Sequence, residues 1–187
     1  MKNTETRFIN TEIIESRFIF SQEINNRTSI KDEEGNELCF YRSPSGNNIV
    51  FTKDLEGTDV AIEHCIDGSK IFHLSQDSKG LPAMHEFKHD GAEVMYLLDK
   101  DNRLEKMIES KSNGDKISSW FYPQEMLVQE QRQSGGIVFK IYHSSGEALA
   151  WLHIDGSVET NGNAALVGRL KTIFSMYLDG AEISDIA

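Results

Sequence analysis

Residues 80–101 read GLPAMHEFKHDGAEVMYLLDKD, and two assignments compete for them. His85-Glu86-Phe87-Lys88-His89 matches H-E-x-x-H, in which two histidines one helical turn apart hold zinc and the glutamate activates its water. The same residues also form one copy of a repeat: an apolar run, a turn at Asp90-Gly91, a second apolar run and a further turn. The first assignment needs a helix and the second makes a hairpin, so they exclude each other.

Working outward from this stretch, turn signals stand at Glu34-Gly35, Ser45-Gly46, Glu56-Gly57, Asp67-Gly68, Lys79-Gly80, Asp90-Gly91, Asp101-Asn102, Asn113-Gly114, Gly135-Gly136, Ser145-Gly146 and Asp155-Gly156. Every second signal sets a period: Gly46, Gly68, Gly91, Gly114, Gly136 and Gly156 are separated by 22, 23, 23, 22 and 20 residues. A fixed step of this size marks a repeat architecture.

Between the turns, side chains alternate. Val60, Ile62, His64 and Ile66 interleave with Ala61, Glu63 and Cys65, and Ala83, His85, Phe87 and His89 with Met84, Glu86 and Lys88. Ala148, Ala150, Leu152 and Ile154 interleave with Leu149, Trp151 and His153. A period of two between Asp-Gly or Asn-Gly bends is the strongest short-range hairpin signal. The expected fold is mainly all-β: an antiparallel meander of about a dozen strands in hairpin repeats of about 22 residues. It spans residues 27–160, between an N-terminal segment (1–26) and a C-terminal helix and tail (161–187). The β-branched and aromatic content of Glu12–Ile24 favours a first strand there over a short helix.

Near Asn163 the periodicity changes. Leu166, Leu170, Ile173, Phe174, Tyr177 and Leu178 form a stripe at helical spacing. Asn163 is suited to the N-cap and Gly180 to the position after the last turn. A capping helix over about 163–178 is expected, closing the open end of the sheet.

Composition narrows the function classes. The chain has 187 residues, which fits one domain, or one domain plus a small appendage. Thirty acidic residues stand against nineteen basic ones, a net charge of −11. That field repels nucleic-acid phosphates and anionic membranes and suits a basic protein partner. Cys39 and Cys65 show no metal spacing and are too few for a disulfide framework, which fits a reducing compartment. No apolar signal region opens the chain and no run reaches membrane-spanning length, so a cytoplasmic location is expected; export without a cleaved signal stays open.

The repeat resembles the MORN-variant unit of bacterial proteins of the YwqK antitoxin type. The matching residues are Phe72, Gly80, Leu81, Asp90-Gly91 and Tyr96, then Asn102, Leu104, Asn113-Gly114 and Trp120 to Tyr122. Met126-Leu127, Ser134-Gly135 and Tyr142 follow, and then Gly146, Leu149 and Asp155-Gly156. Glu125 stands where the unit has a turn glycine. The resemblance implies an elongated all-β scaffold used for protein contact, with no catalytic residues to carry over.

Three function classes follow. The first is a non-enzymatic binding protein, such as an immunity protein, antitoxin or adaptor, that masks a basic partner surface and needs no cofactor. Its candidate binding residues are Tyr96, Trp120, Tyr122, Tyr142 and Trp151, which recur near the same part of the unit. They are also placed to be a structural aromatic ladder. The second is a zinc metallopeptidase with His85 and His89 as ligands and Glu86 as the catalytic base. Asp90-Gly91 ends any helix just after His89, and on a strand the two histidines stand about 13 Å apart, too far for one ion. The third is a self-assembling shell or tail component of a phage or secretion machine. His64, His73, His143 and His153 fall in different units and read as structural histidines. No nucleophile elbow, phosphate loop or basic groove is recognisable.

Overall fold

The computed structural model describes residues 9–75, 83–143, 145–153, 155–160 and 163–181, apart from the side chain of Ser21. The Lys79-Gly80 turn signal, Leu81, Pro82, Ile154 and the first eight residues lie outside them. The chain is a β-meander closed by a helix, as its turn spacing predicts. The strands are β1 (Thr28–Lys31), β2 (Glu37–Arg42), β3 (Asn48–Lys53), β4 (Asp59–His64), β5 (Lys70–Leu74), β6 (Met84–Phe87) and β7 (Glu93–Leu98). There follow β8 (Leu104–Ser110), β9 (Lys116–Phe121), β10 (Glu125–Gln131), β11 (Ile137–His143), β12 (Ala148–Leu152) and β13 (Val158–Thr160). All thirteen stand in the sheet in sequence order. No helix among the described residues is long and apolar enough to cross a membrane.

Most of the described turns share one design. At the β1–β2 bend the Asp32 N–H donates to Asn36 O and the Gly35 N–H to Asp32 O, each at 3.0 Å. This is a type I turn followed by a residue in the left-handed region, one of the common hairpin closures. The closing glycines have φ between 80° and 91°, and Asn102, at φ 64°, takes the same role without being glycine. Asparagine tolerates this region better than other side chains. In the β10–β11 turn the left-handed residue is Gly135 rather than Gly136, which makes the steps from Gly114 and to Gly156 both 21 residues. The β9–β10 bend lacks glycine because it is tighter: only Pro123 and Gln124 separate Tyr122 from Glu125, and the Tyr122 N–H donates to Glu125 O at 2.9 Å.

The chain divides into two compact units, Asn10–Ser112 and the remainder. In the first, the N-terminal segment is not a strand. It forms a short helix, α1 (Thr11–Glu15), whose N-cap Asn10 accepts from the Ile13 N–H, and then a single 3-10 turn at Ile19–Ser21. Its apolar side chains serve as packing on the sheet. Ile19, 4% exposed, sits on Ile49, Phe51 and Ala61, and Phe20 meets Phe51 edge-on. The Glu15 carboxylate accepts from the Leu104 N–H at 2.8 Å. The covered sheet face carries Ile49, Ala61, Ile71, His73, Met84, Val94 and Tyr96, all buried.

In the second unit both faces of β9–β12 are apolar. On one, Trp120, Leu127, Phe139, Ile141, Ala150 and Leu152 pack under α2 (Ala164–Leu178), which contributes Leu170 and Ile173. On the other, Ile117, Met126, Val128, Tyr142 and Ala148 cluster with Ile9, Phe121 and Trp151. The helix is capped as its sequence indicates. Asn163 accepts from the Ala165 N–H at 3.0 Å. The Gly180 N–H donates to Tyr177 O and the Ala181 N–H to Met176 O, the paired bonds of a Schellman end. Two details of the sequence reading change. α2 also shares a buried cluster with residues of β9 to β12, beyond the end of the sheet that it closes, and Leu178 drops out of the apolar stripe at 67% exposure.

Candidate functional site

The H-E-x-x-H residues lie on a strand and its turn. His85 and Glu86 belong to β6, and His89 falls in the turn before β7. Adjacent strand residues point to opposite faces. Glu86 therefore joins the covered face, while His85 points to the other and lies against Phe87, ring centroids 4.1 Å apart. The nearest carboxylates separate the histidines further: His85 Nε2 is 3.4 Å from Glu93 and His89 Nδ1 is 3.8 Å from Asp67. These three residues do not fit one zinc ion. Among the described residues no group of three or more His, Cys, Asp or Glu side chains could hold a metal ion.

Under the N-terminal segment the covered face gathers an ionic network that sequence pattern did not indicate. Glu63 Oε2 meets His73 Nε2 at 2.9 Å, and Glu63 Oε1 accepts from the Asn47 amide at 2.6 Å. Two strands away Tyr96 donates to Glu86 at 3.0 Å, and Arg17 approaches the same carboxylate at 3.6 Å. Burial raises the Glu63 carboxyl, but the hydrogen bonds from His73 and Asn47 outweigh it and leave the group below its ordinary range. The Tyr96 phenol moves up, first through burial and then through the Glu86 charge. Burial, followed by the Glu63 and Asp67 charges, pushes the Cys65 thiol up to about 11. A cavity of about 200 Å³ adjoins the network, lined among others by Arg17, Tyr41, Asn47, Glu63 and Cys65. Both Glu63 oxygens are already engaged and His73 is 1% exposed, and the Arg17 contact with Glu86 ties the segment to the sheet. Its only sequence signals are isolated polar residues at inward strand positions, which alternation alone does not distinguish from outward ones.

The five aromatic candidates do not form one stripe. Tyr96 is buried on the covered face of the first unit. In the second, Trp120 pairs with Leu127 and joins the cluster under α2, whereas Tyr142 belongs to the cluster on the opposite face. Tyr122 and Trp151 are half-buried, and the Lys140 ammonium lies 4.8 Å from the Trp151 ring centre while bonded to Glu130 at 3.0 Å. Of the remaining histidines, His64 is exposed, His143 bonds Ser145 in its own turn and His153 meets Glu159 at 3.1 Å.

The acidic excess has a location. The first unit holds twenty acidic and twelve basic residues. Because strands follow in order, the β1–β2, β3–β4 and β7–β8 turns lie along one edge of its sheet. These turns carry Asp32, Glu33, Glu34, Asp54, Glu56, Asp99 and Asp101, against Lys100 and Arg103 among basic residues. Asp32 Oδ1 accepts from the Glu34 and Asn36 N–H groups, Asp54 from Glu56 and Thr58, and Asp99 from Asp101 and Arg103. The bonds from Asn36, side chain first and then backbone, hold the Asp32 carboxyl below its ordinary range. On the opposite edge the β2–β3 turn is Ser43-Pro44-Ser45-Gly46, with no charge. No family model matches the chain, and no curated protein matches it.

Proposed function

We propose that this chain is a non-enzymatic protein-binding meander, of the immunity-protein, antitoxin or adaptor kind, that docks a basic partner surface on the acidic edge of its first unit. One observation carries the reading: seven carboxylates are set along one sheet edge by three turns of a single design. Turn backbone fixes the aspartates that close each bend, while Glu33, Glu34, Glu56 and Asp101 stand exposed at the tips. Such an edge steers a basic partner into encounter and fixes its orientation.

The test is retrieval of partners from the native host with the full chain, alongside a Glu33→Lys/Glu34→Lys/Glu56→Lys/Asp101→Lys variant. A stoichiometric basic protein is expected at low salt. It should be lost with the variant and at about 1 M salt, where screening acts over about 3 Å. Retention of no protein at low salt, or equal retention by the variant, would count against the reading.

A further inference from the structure

The face of the first unit opposite the N-terminal segment carries a row that strand register makes continuous. Phe40 stands opposite Val50, and Val50 opposite Ile62. Ile62 faces Phe72, and Phe72 faces His85. His85 faces Met95, and Met95 faces Ile108. One side chain per strand thus runs from β2 to β8; every member is half-buried, and all but His85 are apolar. An uncovered antiparallel face alternates to polar residues, and the next row follows that rule. Arg42, Asn48, His64 and Lys70 lie opposite one another in turn, all exposed. The row continues to Phe87 and Glu93.

The second unit shows what such a row accepts. There Trp120, Leu127, Ile141 and Ala150 are likewise register neighbours, and they share one buried cluster with Leu170 and Ile173 of α2. Arg169 of that helix pairs with Glu125 on the sheet, so a charge pair accompanies the apolar contact. The row of the first unit spans about 29 Å at about 4.8 Å per strand, the length of a helix of about nineteen residues. Its polar border carries two cations, Arg42 on β2 and Lys70 on β5, in a unit with an acidic excess.

We propose that this row is the docking groove for an amphipathic helix of another protein, apolar on one face and carrying carboxylates along the flank that meets Arg42 and Lys70. This surface is separate from the acidic edge and takes the opposite charge, so either proposal can fail alone.

The probe is a synthetic amphipathic peptide of about nineteen residues, with leucines on one face and glutamates along one flank. A control keeps the leucines and replaces the glutamates by lysines. Both are titrated into the full chain at about 0.15 M salt, where screening over about 8 Å leaves local charge in control. The glutamate peptide should bind at least tenfold tighter and slow amide exchange in β2 to β8 of the unmodified protein. Arg42→Glu/Lys70→Glu should reverse the order of the two peptides. Phe72→Ser should weaken the glutamate peptide at least tenfold with an unchanged circular dichroism spectrum. The proposal is overturned if the glutamate peptide does not saturate, if the lysine peptide protects the same strands as well, or if protection falls elsewhere. It is equally overturned if light scattering shows a dimer that Phe72→Ser dissociates, since a second copy then owns the face. Lysine-peptide protection confined to the Asp32–Gly35 and Asp54–Gly57 turns reports the acidic edge and leaves this proposal to the glutamate peptide.

Discussion

Leu170→Ala and Leu178→Ala separate the packed stripe of α2 from the stripe its sequence suggests. The two leucines belong to one apolar set by spacing, but Leu170 is 0% exposed in the cluster with Trp120 and Phe139, and Leu178 is 67% exposed. Leu170→Ala removes three carbons from that cluster, or about 2.4 kcal/mol at about 0.8 kcal/mol each. The cavity left behind adds to this, and buried leucines truncated in this way lose about 3–5 kcal/mol. We expect about 3 kcal/mol for Leu170→Ala and under about 0.5 kcal/mol for Leu178→Ala. Urea unfolding followed by tryptophan fluorescence reports on the correct unit, because both tryptophans, Trp120 and Trp151, lie on its strands. With a slope of about 1–2 kcal/mol per molar, the midpoint of Leu170→Ala should fall by about 1.5–3 M and that of Leu178→Ala should barely move. Equal shifts, or a silent Leu170→Ala, would refute the placement of the helix on the sheet face.

Four further outcomes are expected. Gly91→Ala should cost about 1–2 kcal/mol in thermal unfolding, since φ is 84° although the nearest atom to a new Cβ, on Ser112, is 3.6 Å away. Asn102→Gly should leave stability unchanged or raise it. Glu63 is depressed in the folded chain, so its contribution is complete above its ordinary value and is lost as pH falls through the lower folded value. The stability gap between the natural chain and Glu63→Gln should accordingly be widest above about pH 5 and shrink in acid. Metal analysis should find no stoichiometric zinc; one ion per chain that disappears with His89→Ala would restore the peptidase reading.

The meander was legible because ten of its described bends and caps use a glycine in the left-handed region, and glycine after Asp, Asn, Ser or Glu recurs at a nearly constant step. Asn102 kept the rhythm because it satisfies the same backbone requirement. The choice between Gly135 and Gly136 was not legible, since either can adopt positive φ and only the closing hydrogen bond, Gly135 N–H to Arg132 O, decides. Alternation showed strands but not which face is covered, because Ile62 and Phe72 are as apolar as the inward Ile49 and Ile71. The N-terminal segment misled for a related reason. Ile19 and Phe20 have strand-like composition, yet they fill space above Phe51 and Ala61, and only Asn10 as a helix cap signalled otherwise. The partners of Arg17 and Glu15 lie 69 and 89 residues further along the chain, at Glu86 and Leu104, beyond the reach of any local pattern.

The Glu15 to Leu104 bond also sets an order of events during synthesis. Each hairpin can close as soon as its second strand leaves the ribosome, since strand neighbours in space are neighbours in time. The segment that covers them is made before them, but the Leu104 N–H that holds Glu15 follows 89 residues later. At about 5–20 residues per second, that is a wait of about 4–18 s. Through this interval the growing sheet gains a new free edge with every strand, and Ile49, Ala61 and Ile71 are translated well before the segment above them can be fixed at both ends. The nascent chain is a zipper whose clasp is made before the first strand and fastened only with the eighth.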